Sequence, residues 1–148
     1  MSIILIAITA FAVSQTIKIS TQLFQAGRLS WDLLGWELVW AGGFPSSHSA
    51  VIGATITAIA YADGYGLLFG LSVIVGILAI YSLLESRKRE LLYEGYFSQS
   101  SDGVMKKIIV DQKLLEFSGH TLVEIVAGLT IGVLIAVLGG SVGFVWWR

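Results

Sequence analysis

Four long apolar runs alternate with polar segments along the chain. Most of these runs carry no charge, and the last carries one, Glu124. A helix needs about 20 predominantly apolar residues to cross a bilayer, which is close to the length of each run. The pattern therefore predicts an all-α, integral membrane helical bundle with about four transmembrane helices. Their approximate bounds are 2–18, 47–62, 65–84 and 120–145.

The polar segments predict how these helices are connected. Residues 19–41 mix charges with apolar residues and contain three tryptophans. This composition favours an interfacial or re-entrant segment, because tryptophan concentrates at membrane surfaces. Residues 85–119 are expected to lie outside the membrane. The third helix is expected to continue into them as far as Glu90, residues 91–116 are polar, and 95–103 predict a flexible part. The whole chain, 1–148, is expected to form one membrane domain.

Composition supports the membrane assignment and excludes several functions. The chain is 55% hydrophobic and 13% charged, whereas a soluble domain carries about 25% charged residues. It contains no cysteine, which excludes disulfides and thiolate catalysis. It has no basic patch with interleaved aromatic residues, so no nucleic-acid partner is expected.

Basic residues are distributed unevenly across the predicted topology. Alternating spans place eight of the nine lysines and arginines on one side, with Arg148 on the other. The positive-inside rule assigns the basic side to the cytoplasm. The loop at 85–119 and the starts of the second and last helices then share the cytoplasmic face.

The stretch Gly42–Ser49 carries the first candidate chemistry. Pro45 and the serines at 46 and 47 are typical of a helix start. Free backbone N–H groups and the helix dipole make such a start an anion site. His48 lies in the first turn, where it can donate a proton to a bound anion.

The start of the last span carries the second candidate site. Ser118 precedes His120 and predicts a second helix cap. Glu124 follows His120 by four residues, so both lie on one helix face. A carboxylate there can take the proton of one imidazole nitrogen and leave the other as a nucleophile. Ionisable residues inside a membrane are costly and usually functional.

The predicted topology brings both histidines to one membrane surface. In this arrangement His120 attacks phosphorus, Glu124 orients it, and His48 protonates the leaving oxygen. The predicted phosphate-binding residues are Lys18, Arg28, Ser46, Ser47, Arg87 and Gly119, with Lys113 as a further candidate cation. No metal or other cofactor is expected, because the spacings His-x-x-x-His and Glu-x-x-His do not occur.

Each of these residues also has a structural interpretation. His48 can be an interfacial histidine, and His120 a neighbour of a helix cap. Glu124 can reach the membrane surface and pair with Lys113 or Arg87. The run of basic residues at 87–89 can serve only as a topology signal, Lys18 can be a residue flanking the first span, and the serines near His48 can mediate helix packing.

Two motifs resemble a known superfamily. Gly42-Gly43-Phe44-Pro45-Ser46-Ser47-His48-Ser49 and Gly119-His120-Thr121 with Glu124 are similar to elements of the type 2 phosphatidic acid phosphatase superfamily, which includes vanadium haloperoxidases. They resemble most closely its small, divergent bacterial and plastid branch, in order and spacing over nearly the whole chain. The resemblance implies a bacterial inner membrane or plastid membrane.

The resemblance implies a helical membrane phosphatase that acts on lipid phosphates through a phosphohistidine. It assigns His120 as nucleophile, Glu124 as its orienting residue and His48 as acid. The superfamily's first-motif Arg-Pro is missing, and its arginine six residues before the nucleophile is Leu114. Ser82 and Leu122 replace an aspartate and a proline that are usual in the branch.

Three functions follow from these observations. The first is hydrolysis of a lipid or isoprenoid phosphate monoester or diphosphate, with membrane lipids and the lipid phosphate as partners. The second is a non-catalytic subunit or scaffold, in a homo-oligomer or larger membrane complex, that keeps the phosphatase-like fold. The third is a carrier or channel that uses Glu124 and the histidines as a relay. Transport is disfavoured because polarity stops about a turn below one surface.

Overall fold

The computed structural model describes residues 2–26, 43–99 and 119–141. This part of the chain is helical and contains no strand, which confirms the predicted all-α class. The helices are α1 (Ile3–Ala26), α2 (Ser47–Asp63), α3 (Leu67–Gln99) and α4 (Leu122–Ser141).

Three of these helices are long and apolar enough to cross a membrane. Their apolar segments are Ile3–Phe24, Leu67–Arg89 and Leu122–Gly140. α2 has 17 residues and is shorter than these segments. The described helices therefore fit an integral membrane bundle, in which most large apolar side chains of α3 are exposed to the surroundings.

Local residue chemistry sets both ends of α2. Ser46 is the N-cap, and its hydroxyl accepts a hydrogen bond from the Ser49 N–H at 3.4 Å. At the other end Gly64 has φ +72° and donates its N–H to the Ala60 carbonyl at 3.1 Å. Left-handed backbone favours glycine, so the turn after α2 depends on this residue.

Small residues hold α2 against α4, the most extensive helix contact in the described bundle. Ala50, Ala54 and Ala58 repeat every four residues along α2 and are fully buried. A Cβ atom added at Gly128 or Gly132 of α4 would overlap the carbonyl oxygen of Ser46 or Ala50. Small residues at such spacing let two backbones approach closely, which is how helices associate inside a membrane.

α1 packs on both helices of this pair, and α3 packs on α2. Ile6 and Ala10 of α1 join the buried cluster formed by the alanines of α2 and by Ala136 of α4. α3 lies at the edge and approaches α2 at Gly76, where an added Cβ would lie 2.8 Å from the Ile56 side chain. The core is therefore the α1–α2–α4 contact, with α3 attached to one face of α2.

Two helices extend further than the hydrophobic pattern predicted. α1 continues to Ala26, so the first part of the predicted interfacial segment prolongs the first span. α3 continues to Gln99, beyond the predicted continuation to Glu90, and the start of the predicted flexible part at 95–103 is helical. Helices continue through polar sequence where no residue breaks them. The three tryptophans at 31, 36 and 40 lie outside the described residues.

The α2–α4 contact predicts a difference between two glycines of one helix. Gly132→Ala places its methyl group on the Ala50 carbonyl, whereas nothing lies within 4 Å of the same atom at Gly139. We expect G132A to lose about 1–3 kcal/mol of stability, as overpacking does, and G139A to lose none. Thermal unfolding in detergent would measure both, and equal stability of the two variants would contradict the proposed close contact.

Candidate functional site

The two histidines lie side by side at one end of the bundle. Their ring centroids are 5.7 Å apart, with an angle of 55° between the ring planes. His48 is in the first turn of α2, and His120 lies just before α4. A backbone hydrogen bond of 3.1 Å from the Ser46 N–H to the Glu124 carbonyl joins the two helix starts.

His120 is held by its backbone and by its ring. Its N–H donates to the Leu83 carbonyl of α3 at 3.3 Å, and the residue is only 4% exposed. Its Nδ1 atom lies 3.2 Å from Oε2 of Glu124. An ionised carboxylate only accepts, so this contact requires the proton on Nδ1, and in the neutral ring Nε2 then keeps its lone pair.

Glu124 has a second contact, with the backbone at the start of α4. Its Oε2 atom accepts the Thr121 N–H at 3.0 Å, and the Thr121 hydroxyl accepts the Glu124 N–H at 3.4 Å. This reciprocal pair is a capping box. The helix therefore begins with Thr121 as its cap, three residues later than the Ser118 suggested by the sequence. One carboxylate caps the helix and orients the imidazole.

Burial of His120 favours the uncharged form of its imidazole. Burial lowers the pKa of His120 below its ordinary value of 6.5, and the hydrogen bond and charge of Glu124 partly offset this effect. The positive charges of His48 and Lys18 lower the pKa of His120 further. A neutral imidazole with a free lone pair is the form that can act as a nucleophile.

Lys18 lies inside the bundle rather than at its edge. It is 4% exposed, and its Cε atom lies 3.2 Å from the position of a Cβ added at Gly43. Gly43 itself has φ +141°, a conformation that glycine adopts without strain. The loop before α2 therefore passes directly over this lysine, whose charge acts on His120.

The other predicted phosphate-binding residues divide into three groups. Ser46 and Ser47 are buried at the start of α2, and the Ser46 hydroxyl serves as the cap and as partner of Ser49 at 3.0 Å. Gly119 packs on the backbone of Arg87, where an added Cβ would overlap it. Arg28, like Lys113, falls outside the part that the structure describes.

A cavity of about 260 Å³ adjoins His120 on the α3 side. Arg87 and Lys88 line it together with Glu85 and Tyr81, so two cations and one acid face this space. Arg87 thus lies near His120, as the sequence predicted. The described residues contain no group of three or more acidic or histidine side chains placed to hold a metal ion.

A polar stripe on α1 was missed by the sequence analysis. Gln15, Lys18 and Gln22 lie three and four residues apart, which places them on one helix face. Gln15 is 8% exposed, and the Gln22 amide nitrogen lies 3.6 Å from the Cβ position of Gly43. The spacing is present in the sequence, but Gln15 lies in the apolar run 2–18 and Gln22 in the mixed segment 19–41, so the hydrophobic pattern does not group them with the lysine.

The fold and the site define a class: a helical membrane protein with paired histidines, one of them bound to a glutamate, at one end of the bundle. A family model described as "Divergent PAP2 family" matches residues 1–135. The chain belongs to this family, which confirms the resemblance seen in its motifs.

Curated proteins include one similar chain from Bacillus subtilis (strain 168), named "Uncharacterized membrane protein YuiD". It is 24% identical over 156 aligned residues, and the alignment covers 91% of each chain. No solved structure matches the chain. The relative supports the membrane assignment, and its printed name states no activity.

The environment of His120 predicts how it titrates. We expect its pKa to lie below 6.5 and to fall further in Glu124→Gln, because Glu124 raises the pKa of His120. Histidine NMR in detergent would measure both values, and His48→Gln would assign the signals of the two histidines. Thr130→Val, on the exposed side of α4, should leave the pKa of His120 unchanged. A pKa of His120 that rises in E124Q would contradict this electrostatic account.

Proposed function

We propose that the protein is a membrane phosphatase that hydrolyses a lipid or isoprenoid phosphate monoester or diphosphate through a phosphohistidine. The observation that carries the proposal is the pairing of His48 and His120 at 5.7 Å, with Nδ1 of His120 bound to Glu124. The His120 imidazole is buried and held at Nδ1, as a nucleophile requires, and His48 is exposed beside it.

In the first step, Nε2 of His120 attacks phosphorus and forms a P–N bond. The bond from phosphorus to the leaving oxygen breaks, and its electron pair goes to that oxygen. Protonated His48 gives its proton to the same oxygen, so a monoester releases an uncharged alcohol and a diphosphate releases the protonated lipid monophosphate. Glu124 stabilises the positive charge that develops on the His120 ring, as a carboxylate does for an imidazole in acid–base catalysis.

In the second step, water attacks the phosphohistidine. His48, now neutral, accepts a proton from this water as the P–O bond forms. The P–N bond breaks, its electron pair returns to Nε2 of His120, and inorganic phosphate is released. The cycle consumes one water and leaves both histidines in their starting states. No metal takes part in either step.

Cations and backbone N–H groups at the same end would hold the phosphoryl oxygens. Lys18 is buried beside the loop that precedes α2, and Arg87 lines the cavity next to His120. The start of α2 adds its dipole and its first N–H groups. Such donors stabilise the charge of the transition state. We place this site at the cytoplasmic face, where the basic residues concentrate.

A second candidate function is a non-catalytic membrane subunit. The observation that favours it is the exposure of α3. Only 6% of the residues in its most apolar membrane-crossing stretch are buried, so its apolar side chains are available to a partner helix. Leu114 in place of the superfamily's arginine points the same way. Such a subunit would keep the packing of the histidines without binding phosphate.

Vanadate binding tests the phosphatase proposal without a choice of substrate. Orthovanadate adopts five-coordinate geometry and resembles the phosphoryl group during transfer. We expect saturable binding to the purified wild-type protein, its loss in His120→Ala, and no change in Thr130→Val, which alters an exposed hydroxyl of α4. Absence of binding by a folded wild-type protein would contradict the proposal and leave the subunit function.

Variants of Glu124 can separate its two contacts, one with the His120 ring and one with the backbone N–H of Thr121. Glutamine replaces glutamate in capping boxes, but its amide can donate to Nδ1 and favour the wrong histidine tautomer. We therefore expect Glu124→Gln to keep the stability of the wild type and to lose on the order of 10²-fold or more in hydrolysis of a lipid phosphate.

The matched variant for this test is Glu124→Ala. It removes the cap as well as the charge, and the loss of a capping contact costs about 0.5–2 kcal/mol. Thermal unfolding and hydrolysis rates, measured on both variants, would separate the two contributions. Wild-type activity in E124Q would mean that Glu124 serves the helix end alone.

A further inference from the structure

We propose that a groove between α2 and α3 holds the hydrocarbon chain of the lipid phosphate whose head group binds at His48 and His120. The groove encloses about 330 Å³. This inference rests on the proposed function and adds to it the way in which the site selects a long-chain substrate. Three observations carry it: the alignment of the groove with the site, its lining, and its opening.

On α2, the groove is a continuation of the helix face that begins at His48. Its lining residues on this helix are Val51, Ile52, Thr55, Ile56 and Ile59. They follow His48 at intervals of three and four residues, which is the spacing of one helix face. The groove therefore begins one turn below His48 and runs about 12 Å along α2, at 1.5 Å per residue.

On α3, the same groove leads to the backbone that holds His120. Its lining on this helix runs from Leu68 to Ala79, again at intervals of three and four residues. One turn beyond Ala79 lies Leu83, whose carbonyl accepts the His120 N–H at 3.3 Å. Both walls of the groove therefore end at the two histidines, so a chain lying in it places its head group there.

The chemistry of the lining suits a hydrocarbon chain rather than a polar group. The described residues that line the groove are apolar except for Thr55 and Ser72. The Ser72 hydroxyl donates to the Phe69 carbonyl within its own helix at 2.8 Å. No charged residue is among them, in contrast to the cavity with Arg87 and Lys88 beside His120.

The groove is open to the side, which lets a chain enter from the bilayer. Leu68, Leu71 and Val75 line it and are each 56% exposed. A lipid chain in a bilayer is already in an apolar medium, so the groove offers little transfer free energy. Its expected effect is alignment: a chain along this face brings phosphorus to His120 in a fixed orientation, as positioning groups do in catalysis.

A photoreactive substrate analogue tests this inference. Hexadecyl phosphate with a diazirine on its chain would be bound to the full-length protein in nanodiscs, irradiated, and its attachment sites mapped by mass spectrometry. We expect labelled residues on the facing sides of α2 and α3. Saturating orthovanadate should abolish most of this label, because it occupies the head-group site.

Two neighbouring residues of α3 provide matched variants. Val75 lines the groove and Ile74 does not, yet both are β-branched and more than half exposed. Val75→Trp should fill the groove and lose the label, whereas Ile74→Trp should keep it. Both variants should bind vanadate like the wild type, which shows that the site remains folded.

The outcomes separate this inference from the proposed function. If vanadate binds but the label is spread evenly over lipid-facing residues, or does not respond to vanadate, the groove holds bulk lipid and the inference is wrong. Labelling of a second copy in place of the groove would assign the surface to an oligomer and overturn it as well. If the wild type binds no vanadate, the proposed function fails and the inference fails with it.

Discussion

The close approach of α2 and α4 is the contact on which the site depends. The carbonyl oxygens of Ser46 and Ala50 lie where side chains of Gly128 and Gly132 would be, so the two helices fit in one register. Each helix start supplies one histidine. A slip of one helix turn is about 5.4 Å, nearly the whole distance of 5.7 Å between the imidazoles. The small residues of the contact therefore set the spacing of the proposed catalytic pair, although none of them takes part in the chemistry.

Glu124 connects this packing with the electrostatics of the site. It closes the capping box with Thr121 and holds Nδ1 of His120, so helix start and imidazole orientation depend on one carboxylate. Burial of His120 favours the neutral ring, and Glu124 acts against that preference. The balance matters in the proposed mechanism, because the ring must start neutral and then carry a positive charge. A carboxylate that only neutralised a cation would not need to lie within the first turn of the helix.

The sequence allowed the helical membrane class, the shared end of the two histidines and the His120–Glu124 pair to be predicted, because these follow from run length, alternation and four-residue spacing. The burial of Lys18 could not be predicted from such patterns. Its helix is apolar on most sides, and a membrane helix does not show by hydrophobic periodicity which face meets protein and which meets lipid. The continuation of α3 past the membrane to Glu90 could be predicted, but its extension from there to Gln99 could not, because a polar composition also favours a loop and helices continue into water when no residue breaks them. The polar stripe of Gln15, Lys18 and Gln22 has helical spacing in the sequence, but only the fold shows that the loop at Gly43 covers its Lys18 and Gln22.

The different lengths of the helices give the site its depth. Seventeen residues make α2 about 25 Å long, whereas the hydrocarbon core of a bilayer is about 30 Å thick. α1 continues eight residues past Lys18, and α3 continues well beyond Leu83, which holds His120. The histidines are therefore recessed below the ends of two neighbouring helices. A soluble phosphate ester would have to enter this recess, whereas a lipid that enters sideways between α2 and α3 already carries its phosphate near that level. For the proposed phosphatase, the short second helix and the groove beside it thus favour a substrate that remains in the membrane while its head group reacts.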